Sequence, residues 1–195
     1  STVVIVESNA LTSLNPSTPD TNLTINNDVA YLTGNGFNYY DDKKNLQKNT
    51  VLGTYKITKN SPKDFQVTYT VNKGRVWSDG TPIDGVDMLL SHVLSSSAYS
   101  KAAGLGDPAS TDTKAAFDSL GYGGVYDQHV VGLPKLSADK MSVTIKYDSF
   151  QPDWELTGPG VSPVHALVQL AAGKTKLGTA AENAAAKAQF LKDFT

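Results

Sequence analysis

The clearest pattern in the chain runs through residues 65–94. Phe65, Val67, Tyr69 and Val71 alternate with polar residues, the period of two that a half-buried strand needs. Trp77-Ser78-Asp79-Gly80 reads as a tight turn, because glycine accepts positive φ and aspartate bonds to nearby backbone. Asp84 then stands where a helix N-cap belongs, with Asp87 three residues on, close to a capping box. Val86, Leu89, Leu90, Val93 and Leu94 follow as one apolar helical stripe. The block predicts a strand, a turn and a capped amphipathic helix.

Residues 2–7, TVVIVE, form a short β-branched run and predict a buried strand. Residues 8–22 are rich in Ser, Asn, Thr and Pro and predict a loop. A short helix is expected over 24–32, with Thr24 as its cap, Ile25, Val29 and Leu32 facing inward, and Gly34 and Gly36 ending it. Strands are expected over 52–58, 65–71 and 140–147, with Ser61-Pro62-Lys63-Asp64 joining the first two. Residues 99–110 read as irregular, 113–120 as a helix capped by Asp112, and 121–124 as a turn. Residues 130–136 and 141–147 predict a β pair turning at Ala138-Asp139-Lys140. Residues 179–194 are alanine-rich and open on a capping box, Thr179 with Glu182, which predicts a helix. Strands mixed with isolated helices point to a mixed α/β (α+β) fold, without an internal repeat.

Composition narrows the function. At 195 residues the chain can bury roughly 70% of its unfolded surface and hold a core without staples. An apolar fraction of 39% and a mean hydropathy of -0.27 fit a soluble globular protein. No stretch approaches the ~20 apolar residues of a membrane span. A formal charge of -2 and no basic stripe argue against a nucleic-acid partner. The absence of cysteine excludes disulfides, zinc thiolates and cysteine nucleophiles. Ser1 is not a natural start, so the chain is expected to be a processed form or a cut piece.

No chemistry announces itself. His92, His129 and His165 are far apart and lack metal-ligand spacing, so structural or surface roles are expected for each. Asp79, Asp84 and Asp87 suggest a calcium loop, but the twelfth position holds Leu90 where a bidentate glutamate is required. Gly121-Tyr122-Gly123-Gly124 lacks the lysine and hydroxyl of a phosphate loop. No serine sits in a nucleophile elbow. Asn22-Leu23-Thr24 is a formal glycosylation sequon. Trp77, Trp154 and nine tyrosines have the faces to stack on sugars or peptide side chains. The sequence predicts neither an enzyme nor a cofactor.

Residues 64–87 resemble the signature region of the solute-binding proteins of peptide-type ABC transporters, extracellular solute-binding protein family 5. Lys73-Gly74-Arg75-Val76-Trp77-Ser78-Asp79-Gly80-Thr81-Pro82 and Asp84-Gly85-Val86-Asp87 stand at its core. Leu14-Asn15-Pro16, Phe37-Asn38-Tyr39-Tyr40-Asp41 and Ser162-Pro163-Val164-His165 resemble further family elements, the last an architectural one. Two departures stand out: Gly85 replaces the usual alanine, and the usual Ala-Glu before Tyr55 is missing.

The resemblance implies the N-terminal lobe part of a periplasmic-binding-protein type II-like fold. It divides the chain into an opening segment of that lobe (1–36), an inserted subdomain (37–160) and a truncated return (161–195), with the second lobe absent. It implies a monomeric solute-binding component of an ABC importer, anchored as a lipoprotein or free in the periplasm. Oligopeptides or a related small solute would be its ligand and membrane permease subunits its partners. Alternatives are a stand-alone adhesion or scaffolding domain, and a binder of a metal chelate or an oligosaccharide. The loop after the first strand contributes ligand contacts in the family, which makes Asp20, Thr21, Asn22 and Leu23 the candidate ligand-binding residues, with Asp20 able to meet a peptide α-ammonium. Trp77 would pack within the signature turn.

Overall fold

A computed structural model describes residues 4–34, 36–110 and 119–194. Its centre is a four-stranded antiparallel sheet in the order β3-β4-β6-β5, where β3 is Gly53–Ser61, β4 Asp64–Val71, β5 Lys135–Leu136 and β6 Ser142–Tyr147. The alternation of β4 becomes its two faces: Phe65, Val67, Tyr69 and Val71 are buried, and the residues between them are half-buried. Val143, Ile145 and Tyr147 of β6 lie on the same covered face. The opposite face carries hydroxyl pairs across the strands, Thr68 with Thr144 and Thr70 with Ser142. Such cross-strand pairs fix register as well as stability. A small hairpin, β1 (Asn38–Tyr40) with β2 (Leu46–Lys48), precedes the sheet.

Helix α2, Gly85–Val93, follows the turn at Asp79-Gly80, where Gly80 takes a φ of +86°. Asp84 caps it and Asp87 closes the capping box, as the spacing predicts. The expected single apolar stripe understates its burial. Val86, Met88, Leu89, Leu90 and Val93 are all buried, and so are Asp87 and His92. The sheet covers one side of α2, and α5 (Val164–Ala171) and α3 (Ser97–Ala102) cover others. Helix α6, Ala180–Phe194, packs against α5 and opens on the Thr179–Glu182 capping box. The Lys174 bond, followed by those from Thr179, holds the Glu182 carboxyl down at about 2.

Several expectations are corrected. Residues 4–7 form no strand, and Val4, Ile5 and Val6 are exposed. A β-branched run makes a strand only beside a partner, and no described strand lies next to it. Helix α1 spans Thr24–Thr33, but Leu23 is its N-cap residue and makes no side-chain cap bond. Its inward positions are Ile25 and Asn26, whereas Leu32 is exposed. Within 99–110 the chain continues α3, capped by the Ser96 hydroxyl accepting from Tyr99 N–H at 3.2 Å. The helix expected over 113–120 falls mainly outside the described residues. A short helix, α4 (Val125–His129), follows the glycine turn.

Gly85 has a steric reason to differ from alanine. A Cβ there would meet Leu136 Cδ1 at 2.6 Å and the Lys140 carbonyl oxygen at 2.8 Å, while Gly85 N–H donates to that carbonyl at 2.6 Å. The β5–β6 turn therefore sits directly on the first turn of α2. Gly85→Ala should cost roughly 1–3 kcal/mol through overpacking, measured by denaturant unfolding. An unchanged midpoint would show that the turn can yield.

His92 supplies a pH test. It is 2% exposed, with Nδ1 2.8 Å from the Tyr126 hydroxyl and its ring against Tyr99 and Phe194. Burial pulls its pKa from 6.5 to about 4, against the opposing charge of Asp127. The unfolded chain takes up this proton near 6.5 while the folded one stays neutral. His92 therefore stabilises fully above pH 6.5, loses that contribution as pH falls toward 4, and changes little below. Unfolding free energy should drop by roughly 3 kcal/mol across this window from His92 alone. His92→Gln should flatten the pH profile between 6.5 and 4.

Candidate functional site

One carboxylate ties the signature region to the C-terminal helices. Asp87 accepts from Asp84 N–H at 3.1 Å, closing the α2 cap, and from Val164 N–H at 3.2 Å at the start of α5. Lys187 of α6 bonds to Asp87 at 2.7 Å, lies 3.1 Å from Asp84, and donates to the Pro82 carbonyl at 2.7 Å. Trp77 Nε1 approaches Asp87 at 3.4 Å, consistent with a packing role. Asp87 is fully buried and Lys187 is 8% exposed. Burial pushes the Asp87 carboxyl above its usual value, and Lys187 pulls it back only in part.

A second chain of bonds runs beside it. Asp79 accepts from Thr81 N–H, from His165 Nε2 at 2.9 Å and from Asn183 Nδ2 at 3.2 Å. Asn183 also bonds to Thr81 and accepts from Gln169 Nε2. Desolvation acts to raise the Asp79 carboxyl, but the bonds from Thr81 and His165 outweigh it and hold it below the usual range. His165 is 1% exposed, which suits anchoring and not proton exchange with a substrate. The three aspartates that invited a calcium reading are thus engaged by backbone N–H groups, His165, Asn183 and Lys187. His129 pairs with Asp148 at the surface. Trp154 packs edge-on against Tyr55 and Phe65 in the core.

One groove lies where the N-terminal loop meets α5. Leu14, Asn15, Ser17 and Thr18 face Leu94, Ser119, Ser162, Pro163 and Leu167 across a groove of about 360 Å³. Asn26 shapes this loop. Fully buried at the start of α1, it accepts from Thr12 and Ser13 N–H and donates to Thr12 Oγ1 and the Thr21 carbonyl. The candidate ligand residues divide on this surface. Asp20 and Thr21 lie in a single 3₁₀ turn, Pro19–Thr21, where Asp20 is exposed and Thr21 Oγ1 is 2.6 Å from Thr18 Oγ1. Asn22 accepts from Asn27 Nδ2 at 2.9 Å, and Leu23 is 42% exposed ahead of α1. None of the four lines the groove; Thr18, two residues before Asp20, does. Asn26 was missed from the sequence, and its signal was a polar residue beside Ile25 on the inward side of a short helix.

No family model matches the chain, and no curated protein matches it at a significant level. Among solved structures, the periplasmic EDTA-binding protein EppA, orthorhombic form, is similar over 87% of this chain and 27% of its own, with a TM-score of 0.58 and 18% identity. The oligopeptide-binding protein from Thermus thermophilus, complexed with a pentapeptide, is similar over 93% of this chain and 28% of its own, with a TM-score of 0.49 and 16% identity. The chain spans little more than a quarter of the length of either. The first similarity places the fold: a mixed α/β arrangement corresponding to part of a periplasmic-binding-protein type II-like architecture.

Removing one partner of the buried pair should be far worse than removing both. Asp87→Ala takes the nearest carboxylate from the Lys187 ammonium, which keeps Asp84 and the Pro82 carbonyl, leaves the Val164 N–H without its acceptor, and should cost roughly 3–5 kcal/mol in denaturant unfolding. Combining Asp87→Asn with Lys187→Met should recover part of that loss. Additive losses in the double variant would show that the two groups do not act as a pair.

Proposed function

We propose that this chain is part of the solute-binding component of an ABC importer, a member of extracellular solute-binding protein family 5. In this reading it captures an oligopeptide or related small solute outside the membrane and delivers it to permease subunits. The observation that carries it is the fold shared with a periplasmic binding protein over 87% of the chain. The 64–87 signature supports it, since those residues build the knot that positions α2, α5 and the groove. Among the described residues no helix is long and apolar enough to cross a membrane. The role is binding without catalysis. Two lobes would close around the ligand by a hinge, and the partner lobe would supply most specificity contacts. This chain alone would then bind weakly.

Asp20 is exposed two residues after Thr18, which lines the groove, and its carboxylate favours a ligand that presents a cation, such as a peptide α-ammonium. An anionic chelate would need cationic contacts, and Arg75, the only arginine, lies exposed in the segment before the signature turn. The test uses the full-length polypeptide in calorimetric titration with tri- to pentapeptides, free or N-acetylated. Asp20→Asn should weaken free peptides about tenfold and leave acetylated ones unchanged. Equal affinities across both peptides and both proteins would remove Asp20 from the site, and no peptide binding at all would overturn the peptide reading.

A further inference from the structure

A second groove, sharing no lining residue with the first, lies between α1 and the β1–β2 hairpin. It encloses about 240 Å³, and its walls include Tyr31, Tyr39, Tyr40, Leu46 and Glu155. The three tyrosines are 59%, 48% and 50% exposed, an unusual concentration of open aromatic surface around one concavity. A broader depression of about 610 Å³ continues along the same tyrosines toward Val161.

The groove is fixed in shape. The Tyr31 hydroxyl accepts from Tyr40 N–H at 3.0 Å and returns a bond to the Tyr40 carbonyl at 3.3 Å. On the opposite wall the Asn38 amide donates to the Glu155 carbonyl, and the Tyr55 hydroxyl shares its one proton between Asn38 Oδ1 at 2.7 Å and Glu155 Oε1 at 2.9 Å. Rings held in place before a ligand arrives lose little entropy on binding.

Its chemistry restricts the occupant. Among the described residues strand β1 pairs only with β2, but the Tyr31 hydroxyl holds the outer N–H and carbonyl of Tyr40, the groups an extended peptide would need to add there as a strand. The Glu155 carboxylate is countered by Lys48 at 3.7 Å, and that ammonium also sits 4.6 Å from the centroid of the Tyr55 ring. A cationic ligand would have to displace Lys48, and an anion would meet the Glu155 carboxylate. The site suits a neutral molecule with a flat apolar face and a rim of hydroxyls. Tyrosine presents a rigid apolar ring with a polar tip, which matches the C–H face and hydroxyl edge of a pyranose.

We infer that the Tyr31–Tyr39–Tyr40 groove binds a neutral pyranose ring of a glycan, at a site separate from the groove between the N-terminal loop and α5. The inference does not depend on the transporter reading. The test follows aromatic and amide NMR signals of the protein on titration with cellobiose, maltose and N,N′-diacetylchitobiose. At least one of the three should perturb the tyrosine signals with a dissociation constant of roughly 1 mM. Tyr39→Ala and, independently, Tyr40→Ala should each weaken that binding about tenfold, whereas Asp20→Asn should not change it. Tyr39 and Tyr40 are about half exposed, and retained melting temperatures would confirm that the variants fold. No perturbation by any of the three sugars overturns the inference. So does binding that survives in both folded tyrosine variants, or that falls with Asp20→Asn.

Discussion

The carboxylate of Asp87 is the constraint on which the remaining structure depends. It caps the helix it belongs to, receives the first amide of α5 and holds the ammonium of Lys187, all from a position without solvent contact. A buried charge of this kind is costly unless every lone pair is used, and here backbone and side-chain donors use them. The energetic return is modest for the pair itself. Its value is positional: three helices separated by long stretches of chain can meet in only one arrangement if Asp87 is to be satisfied. The neighbouring Asp79, His165 and Asn183 chain repeats the device on a smaller scale.

That arrangement sets the surfaces on which function rests. Pro163, which lines the groove between the N-terminal loop and α5, immediately precedes the Val164 amide held by Asp87. The opposite wall of the groove is the N-terminal loop, held by Asn26. The groove is therefore as rigid as these two polar anchors make it. The sheet contributes a different kind of order. Its buried face carries Phe65, Tyr69 and Tyr147, and its open face the threonine pairs, so register cannot slip without moving both sets.

Much of this was legible in the sequence where the signal is local. Alternation marked β4, spacing marked the Asp84–Asp87 cap, and alanine content with Thr179 and Glu182 marked α6. Partnerships across long separations were not legible. Nothing near Asp87 announces Lys187, one hundred residues away, although a lysine among Asn183, Ala186 and Phe194 on the buried side of α6 was a sign that it had an inward partner. The same limit explains the absence of a strand at residues 4–7. β-Branched residues report a capacity for strand pairing, and the pairing itself depends on a neighbour the run cannot encode. The sequence offered Asp20, Thr21, Asn22 and Leu23 as ligand residues, but the groove next to their loop is bounded by Thr18 and Pro163, because its shape comes from packing between distant segments.

The central claim is that Asp87 locks α2, α5 and α6 into one cooperative body that forms one wall of the groove at Pro163. Native-state hydrogen exchange tests it most directly. The amides of Val86, Ser162 and Val164, which bond to Asp84 and Asp87, should open with the same free energy as those of β4, and only on global unfolding. Exchange of Ser162 and Val164 through a separate, lower-energy opening, with Val86 and β4 still protected, would contradict it and leave the groove wall independent of the knot.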